Sequence, residues 1–475
     1  MNLKLSNTLT AKQEPLKTLD KNSVKMYTCG LTVYSQPHIG NWVYFIFCDI
    51  LHRTLLANDY EVKRVQNITD VGHLTDDGDD GEDKMQKGAL REGKTAWDVA
   101  KKYIELADYE AYDLLGLLRP TDMPRATDFI LQQIDFVRQL EVKGFAYVIA
   151  DGVYFDTSKL SDYGKLARLD IEGLQFGARV ADTGKKNPTD FALWKLSNPA
   201  EKRDMEWQSP WGMGFPGWHL ECSVMARELL GDQIDIHTGG IDHIPVHHTN
   251  EIAQTEAMTG KQFSQFWLHS NHLKINSTKI SKSLGNGYTL SDIIDKDYDI
   301  QAFKLLVLSK HYKTEGNFTW EILDAATNRL KKWQQIATLR HQTHDTLDND
   351  DSKSHDGQSL LATPHAIKEA LNDDLNTPKA LAIIDEAFGR LESMSLNKIH
   401  RQSLFELLKR IDKLLGIDLI KDTPDVSDEI KQLILERQRA REASDWTRSD
   451  ELRDELAAHG ITIRDSAGGS IWTYL

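Results

Sequence analysis

Apolar and polar positions change period repeatedly along the first quarter of the chain. Val24–Cys29 and Tyr60–Gln66 read as strands, while Val43–Asn58 and Thr95–Leu115 repeat apolar positions at helical spacing. Strand and helix in alternation predict an α/β fold with a doubly wound parallel sheet. From about Pro120 to Asp204 the cadence breaks into a helix, Ala126–Lys143, and short strands around Tyr147–Phe155, which reads as an insertion between two halves of the sheet. The sheet pattern resumes near Trp207, through a strand at Gln233–Thr238 and a helix whose first turn holds Pro245. After Asp299 the pattern is almost wholly helical. The polar stretch His341–Ser359 predicts a disordered loop, and the proline-bearing linker Asp422–Asp428 introduces a compact last module. The expected divisions are 1–119, 120–205, 206–310, 311–421 and 422–475.

With 475 residues the chain exceeds one ordinary core. No apolar run is long enough to span a bilayer; the most apolar stretch, Val43–Leu56, is broken by Asp49, His52 and Arg53. Met1–Glu14 lacks the basic start and apolar centre of a secretory signal, and three cysteines make no disulfide framework, so a reducing, cytoplasmic setting is expected. The net charge of −15 excludes general stickiness to RNA, yet leaves selective binding through local basic stripes open. The loop Asp76–Asp83, with five aspartates and a glutamate, reads as a solvated loop and makes a poor cation cage.

Two short motifs carry chemistry together. Pro37-His38-Ile39-Gly40-Asn41 falls where a strand gives way to a helix, so its backbone N–H groups and the helix dipole favour an anion, and Gly40 allows close approach. Lys279-Ile280-Ser281-Lys282-Ser283 supplies two lysines on a hydroxyl-rich loop able to close over phosphates. A third set is Cys29, Cys222, His247 and Glu251. The spacing of four puts His247 and Glu251 on one helix face and turns His248 about a quarter-turn or more away. Two thiolates, an imidazole and a carboxylate suit zinc, but these are not the tight Cys-x-x-Cys pairs of a strong motif, and spacing alone leaves a closed structural staple, or two core cysteines and a helix histidine, open. Cys48 reads as core.

The paired motifs resemble the class I aminoacyl-tRNA synthetases. Met26-Tyr27-Thr28-Cys29-Gly30, Asn67-Ile68-Thr69-Asp70-Val71, Gly217-Trp218-His219-Leu220-Glu221-Cys222, His247-His248-Thr249-Asn250-Glu251-Ile252 and Asp373-Asp374-Leu375-Asn376-Thr377-Pro378, with the closing segment from Arg437 to Trp472, resemble cysteinyl-tRNA synthetases along the whole chain. Leu31, Val43 and Thr249 depart from the family pattern, and Val43 removes an arginine commonly found near the first motif.

The resemblance implies a Rossmann-like catalytic domain in 1–119 and 206–310, a connective insertion in 120–205, a helical bundle in 311–421 and an anticodon-binding module in 422–475. It implies ATP bound through His38, Gly40, Asn41, Lys279 and Lys282, with Mg2+ accompanying the nucleotide. One zinc ion per chain would sit on Cys29, Cys222, His247 and Glu251, and Thr69 and Trp218 would close around cysteine beside Cys29. Zinc prefers a thiolate to a hydroxyl, so it would reject serine where an apolar pocket discriminates poorly. From the residues alone Trp218 reads as core. Arg441, Trp446, Asp450 and Asp465 match positions that contact the anticodon of tRNA(Cys). Arg437, Arg441 and Arg448 would form one basic stripe if their helix is continuous, unless Ser444-Asp445 caps a new one.

The reading is a monomeric ligase joining L-cysteine to tRNA(Cys) through cysteinyl-adenylate. Two rivals are a ligase transferring cysteine to an aminosugar, disfavoured by the module 428–475, and a non-catalytic relative, disfavoured by the intact lysines and metal set.

Overall fold

The computed structural model describes residues 2–72, 83–169, 184–198, 203–280, 285–343, 355–466 and 469–475. The chain divides into two compact units, one of 2–297 with 312–318 and one of 298–311 with 319–475. Lys282 and residues 76–82 of the acidic loop lie outside the described residues, as do positions 344–354 of the polar stretch.

The first unit is built on a four-stranded parallel sheet. Its elements in chain order are β1 (Ser23–Thr28), α1 (Ile39–Ala57), β2 (Glu61–Gln66), α2 (Trp218–Leu230), β3 (Ile234–Gly240), α3 (His247–Thr259) and β4 (Ser264–Ser270). The strand order is β4-β3-β1-β2, with every pair parallel. From β1 the sheet grows outward to β2 on one side and to β3 and β4 on the other. Such a switch point leaves a crevice beyond the strand ends, where ligands of doubly wound sheets bind. All of β3 up to Gly239 is buried, as expected of a strand covered on both faces.

Helix α1 begins at Ile39, so His38 is its N-cap. The His38 N–H donates to Asn41 Oδ1 at 3.0 Å, which closes the first turn. The body of α1 is buried from Phe45 to Leu55, and an Asp49–Arg53 ion pair of 2.7 Å satisfies its buried charges. The Thr95–Leu115 periodicity resolves into an α-helix, Ala96–Asp108, and a π-turn, Tyr109–Leu114. Between α1 and α2 the chain also forms an antiparallel five-stranded sheet that ends with Gly212–Pro216.

Three local expectations change, the first being that Trp207–Ser209 and Gly212–Pro216 close the antiparallel sheet, so the parallel fold resumes at α2 rather than near Trp207. Helix α3 starts at His247 with Val246 as N-cap, so Pro245 stands just before the helix rather than in its first turn. The basic stripe is broken: Asp428–Glu442 and Trp446–Ala458 are separate helices, because the Asp445 side chain accepts the Arg448 N–H and caps the second.

The second unit is helical. Helices at Ile300–Leu308, Trp320–Thr338, His355–Asn372, Thr377–Ser393 and Arg401–Leu415 precede the last helix pair and a hairpin, Ile461–Ser466 with Gly469–Tyr474. No helix among the described residues is long and apolar enough to cross a membrane.

Candidate active site and metal centre

The switch-point crevice is a cleft of about 740 Å³, lined among others by Cys29, His38, Gly40, Asn41, Trp218, Lys279 and Ile280. The two short motifs meet directly there. A Cβ placed on Gly40 would come within 2.7 Å of Ile280 Cδ1 and 3.1 Å of the His38 ring. Lys279 ends the edge strand Thr278–Lys279 of a three-stranded sheet, in which Leu273–Ile275 pairs antiparallel with it and parallel with Gly316–Phe318. The turn residues Asn276 and Ser277 both have positive φ, the geometry of a tight hairpin that leaves Lys279 exposed.

Cys29 follows β1, Cys222 lies one turn into α2, and His247 and Glu251 share a face of α3. Their four ligand atoms fall within 4.8 Å of one another, and all four residues are buried. Glu251 Oε1 lies 3.0 Å from His247 Nε2, which brings a carboxylate oxygen and an imidazole nitrogen together beside the two sulfurs. The other atom of each ligand is held from behind. His237 Nε2 is 2.8 Å from Glu251 Oε2, and His219 Nδ1 is 3.0 Å from His247 Nδ1. Such outer contacts orient the ligands of metal sites. Two sulfurs, a nitrogen and an oxygen at this spacing fit a tetrahedral metal of borderline softness.

The acid–base pattern suits the same purpose. Burial pushes the Cys29 thiol up, but Cys222 and the neighbouring His248 overcome that and bring it well below its usual value. Burial and the Cys29 charge push Cys222 well up. Against the cost of burial, His237 and His247 hold Glu251 down at about 2, and Glu251 holds His247 up at about 10. A cation entering this cluster would therefore displace the protons kept by the Cys222 thiol and the His247 imidazolium.

His248 does not turn away as its spacing suggests. Its Nε2 sits 3.4 Å from Cys29 Sγ and its Nδ1 2.7 Å from His269 Nε2, and with Cys29, His237 and Glu251 it forms an overlapping second donor group. The first group has the better claim to a metal, because it supplies two sulfurs where the second supplies one, and in the second His237 Nε2 is already paired with Glu251 Oε2. Cys48 is fully buried, as core.

Trp218 is half-buried, and lines the cleft rather than filling the core. Its ring centroid lies 4.6 Å from that of His247, and Lys84 Nζ stands 5.1 Å from the indole centre. Thr69 is buried behind Leu31–Val33, to whose backbone it is hydrogen-bonded. Sequence reasoning missed His237, His269, Lys84 and Glu221. A histidine in the middle of an apolar strand was the one available signal, for His237.

In the helical unit, Asp465 forms a two-pronged pair with Arg437, both bonds at 2.9 Å, and lies 3.0 Å from Arg441. Arg441 stands 5.5 Å from the Trp446 ring centre. Trp446 is 56% exposed, unusual for so large an apolar ring. Asp450 is exposed and pairs with Arg453 at 3.2 Å. Asp465 is thus committed to holding arginines, a role its sequence position did not reveal.

Comparison with known proteins identifies the family. Residues 15–328 match the catalytic-domain model of class I (C) tRNA synthetases, 366–420 a DALR domain, and 423–472 the anticodon binding domain of cysteinyl-tRNA ligases. Cysteine–tRNA ligase 1 of Burkholderia lata is 42% identical over 473 residues, covering 99% of this chain and 96% of that protein. The cysteine–tRNA ligase of Treponema denticola is 38% identical over 502 residues and both chains are covered completely. In fold, the chain is similar to Mycobacterium tuberculosis methionyl-tRNA synthetase in complex with methionyl-adenylate, at a TM-score of 0.61 and 14% identity over 84% of this chain and 92% of that one. It is also similar to the Agrobacterium radiobacter LeuRS of a tRNA complex, at a TM-score of 0.61 and 10% identity over 87% and 86%. With its parallel-sheet cleft, buried ligand set and helical second unit, the chain belongs to the cysteine–tRNA ligases, enzymes of the class I aminoacyl-tRNA synthetase family.

Proposed function

We propose that the chain activates L-cysteine with ATP in the cleft above Cys29, and transfers it to the 3′ end of tRNA(Cys). One observation carries this reading: the His38–Asn41 turn, Lys279 and the thiol-bearing floor all line one cleft. ATP enters with Mg2+. The cysteine carboxylate attacks the α-phosphorus, a bond to oxygen forms, and the bond to the β-phosphate breaks, releasing pyrophosphate. His38 and the start of α1 orient the phosphates, and Asn41 holds the His38 backbone in that turn. Lys279 and Lys282 neutralise the charge that collects on the leaving pyrophosphate. A ribose hydroxyl at the tRNA end then attacks the cysteinyl carbonyl and displaces AMP.

Cys29, Cys222, His247 and Glu251 would hold a zinc ion. When bound, zinc supplies a soft site that takes a thiolate in preference to a neutral hydroxyl, which separates cysteine from serine. Trp218 covers His247 and, with Thr69, bounds the amino-acid pocket. In the second unit, exposed Trp446 offers a stacking face for an anticodon base, beside Arg441 and Asp450, while Asp465 holds the arginines in place. The expected setting is cytoplasmic and the expected state a monomer.

The test is transfer of labelled cysteine onto total tRNA with ATP, run beside serine. Charging with cysteine alone supports the reading. Adenylate formation without charging would move it to another acceptor of activated cysteine.

A further inference from the structure

Glu221 is fully buried and has no task in the chemistry above. It precedes Cys222 by one residue and is linked by a chain of hydrogen bonds to Gly30, one residue after Cys29. The Gly30 N–H donates to Asn67 Oδ1 at 2.8 Å. A backbone N–H only donates, so the Asn67 amide must turn its oxygen toward Gly30 and its NH2 away. That NH2 lies 3.0 Å from Thr69 Oγ1, which must therefore accept. The Thr69 proton then goes to Glu221 Oε1, 2.5 Å away, since a carboxylate only accepts. Each direction in the chain follows from the donor inventory. A hydroxyl has one proton and two lone pairs; here the proton and one lone pair are spoken for. Thr69 can meet a ligand only as an acceptor.

We propose that Glu221 is a positioning residue that fixes the Thr69 hydroxyl as the hydrogen-bond acceptor for the α-ammonium group of the amino-acid substrate. This rests on the reading of Thr69 as part of the cysteine pocket. With the thiol directed to the four-ligand set, the remaining donor on cysteine is its ammonium. An oxygen locked as an acceptor repels a carboxylate, so Thr69 turns the substrate with its ammonium inward and its carboxylate toward the nucleotide. The buried Glu221 charge acts in the same direction on a cationic group.

The test compares ATP–pyrophosphate exchange by the full-length, metal-loaded wild type with that of E221Q, E221M, T69V and E221M/T69V. Metal content is measured for each protein. The probe is 3-mercaptopropionate, which has the thiol and carboxylate of cysteine and lacks the ammonium. E221Q retains an oxygen that accepts the Thr69 proton, and should keep KM for cysteine within about threefold. E221M should raise that KM by about tenfold or more, the loss of one charge-assisted hydrogen bond, with kcat, KM for ATP and metal content little changed. Inhibition by 3-mercaptopropionate should be unaffected, and E221M should add nothing in the T69V background. If T69V raises KM for cysteine and E221M does not, the proposal is wrong while the Thr69 reading stands. Equal effects of E221M with and without Thr69, or equal weakening of 3-mercaptopropionate, also overturn it. No effect of T69V on cysteine removes the Thr69 reading and the proposal with it. Should E221M not accumulate as folded protein, E221D keeps the charge but withdraws the oxygen by one methylene, and must raise the same KM.

Discussion

Ile280 occupies the space that any side chain on Gly40 would need, its Cδ1 2.7 Å from the position of a Cβ there. Gly40 and Ile280, one from each short motif, are therefore packed against each other. The tip of Ile280 can move at little cost, but the His38 ring, 3.1 Å from the same point, must move as well. G40A is expected to change stability by less than about 1 kcal/mol and to slow ATP–pyrophosphate exchange about 10- to 100-fold, because the His38 ring must shift from the place where the proposed mechanism uses it. I280A added to G40A should not recover the loss, because the contact with the His38 ring remains.

Gly30 is a harder constraint. A Cβ there would sit 1.5 Å from the Asn67 carbonyl oxygen, a backbone atom that cannot step aside. G30A should cost about 3 kcal/mol or more, read as a lower midpoint in denaturant, and metal affinity should fall because Cys29 is displaced with it.

Much of the sheet could be read from the chain because its signals are local. The strands at Val24 and Tyr60 and the α1 periodicity stand almost where the pattern puts them. The gathering of Cys29, Cys222, His247 and Glu251 followed from the resemblance rather than from spacing, since they come from three separate elements. What stayed hidden depends on tertiary contact. His248 reaches Cys29 because β1 ends beside α3, which helical phase cannot reveal. Glu221 looks like an ordinary helix carboxylate until Thr69 is seen against it. Asp465 resembles a surface acid, yet Arg437, with its side chain only 1% exposed, lies beneath it.

The π-turn after Asp108 buries Glu110 against Trp42 Nε1 at 3.0 Å and Gln36 at 3.3 Å. Burial pushes its carboxyl up from 4.5 to about 7, more than these hydrogen bonds hold it down. Below the unfolded value both states carry the proton. As pH rises toward 7 the unfolded chain loses it first, so stability falls, and the loss is complete above about 7. The separation is worth about 3 kcal/mol. Denaturant unfolding from pH 5 to 8 should show this decline in the wild type, and E110Q should remove most of it.

Arg437 holds Asp465 well below the usual carboxylate range, chiefly by direct hydrogen bonding. D465N leaves a buried guanidinium without its counter-charge, and should destabilise the C-terminal module by about 2–4 kcal/mol, seen as faster limited proteolysis of the segment after Asp428. W446A removes only an exposed ring. It should leave pyrophosphate exchange intact and lower kcat/KM for tRNA about 10-fold, the worth of one stacked base.

In the proposed reaction Cys29, Cys222, His247 and Glu251 hold a metal that takes the substrate thiol. Replacing the metal with Co2+ and titrating the protein with cysteine and then serine tests it most directly, through the sulfur-to-metal charge-transfer band. Cysteine should strengthen the band by adding a third thiolate to the two the protein supplies, and serine should leave it unchanged. A band that ignores cysteine, or that responds equally to serine, would show that the metal does not bind the substrate thiol.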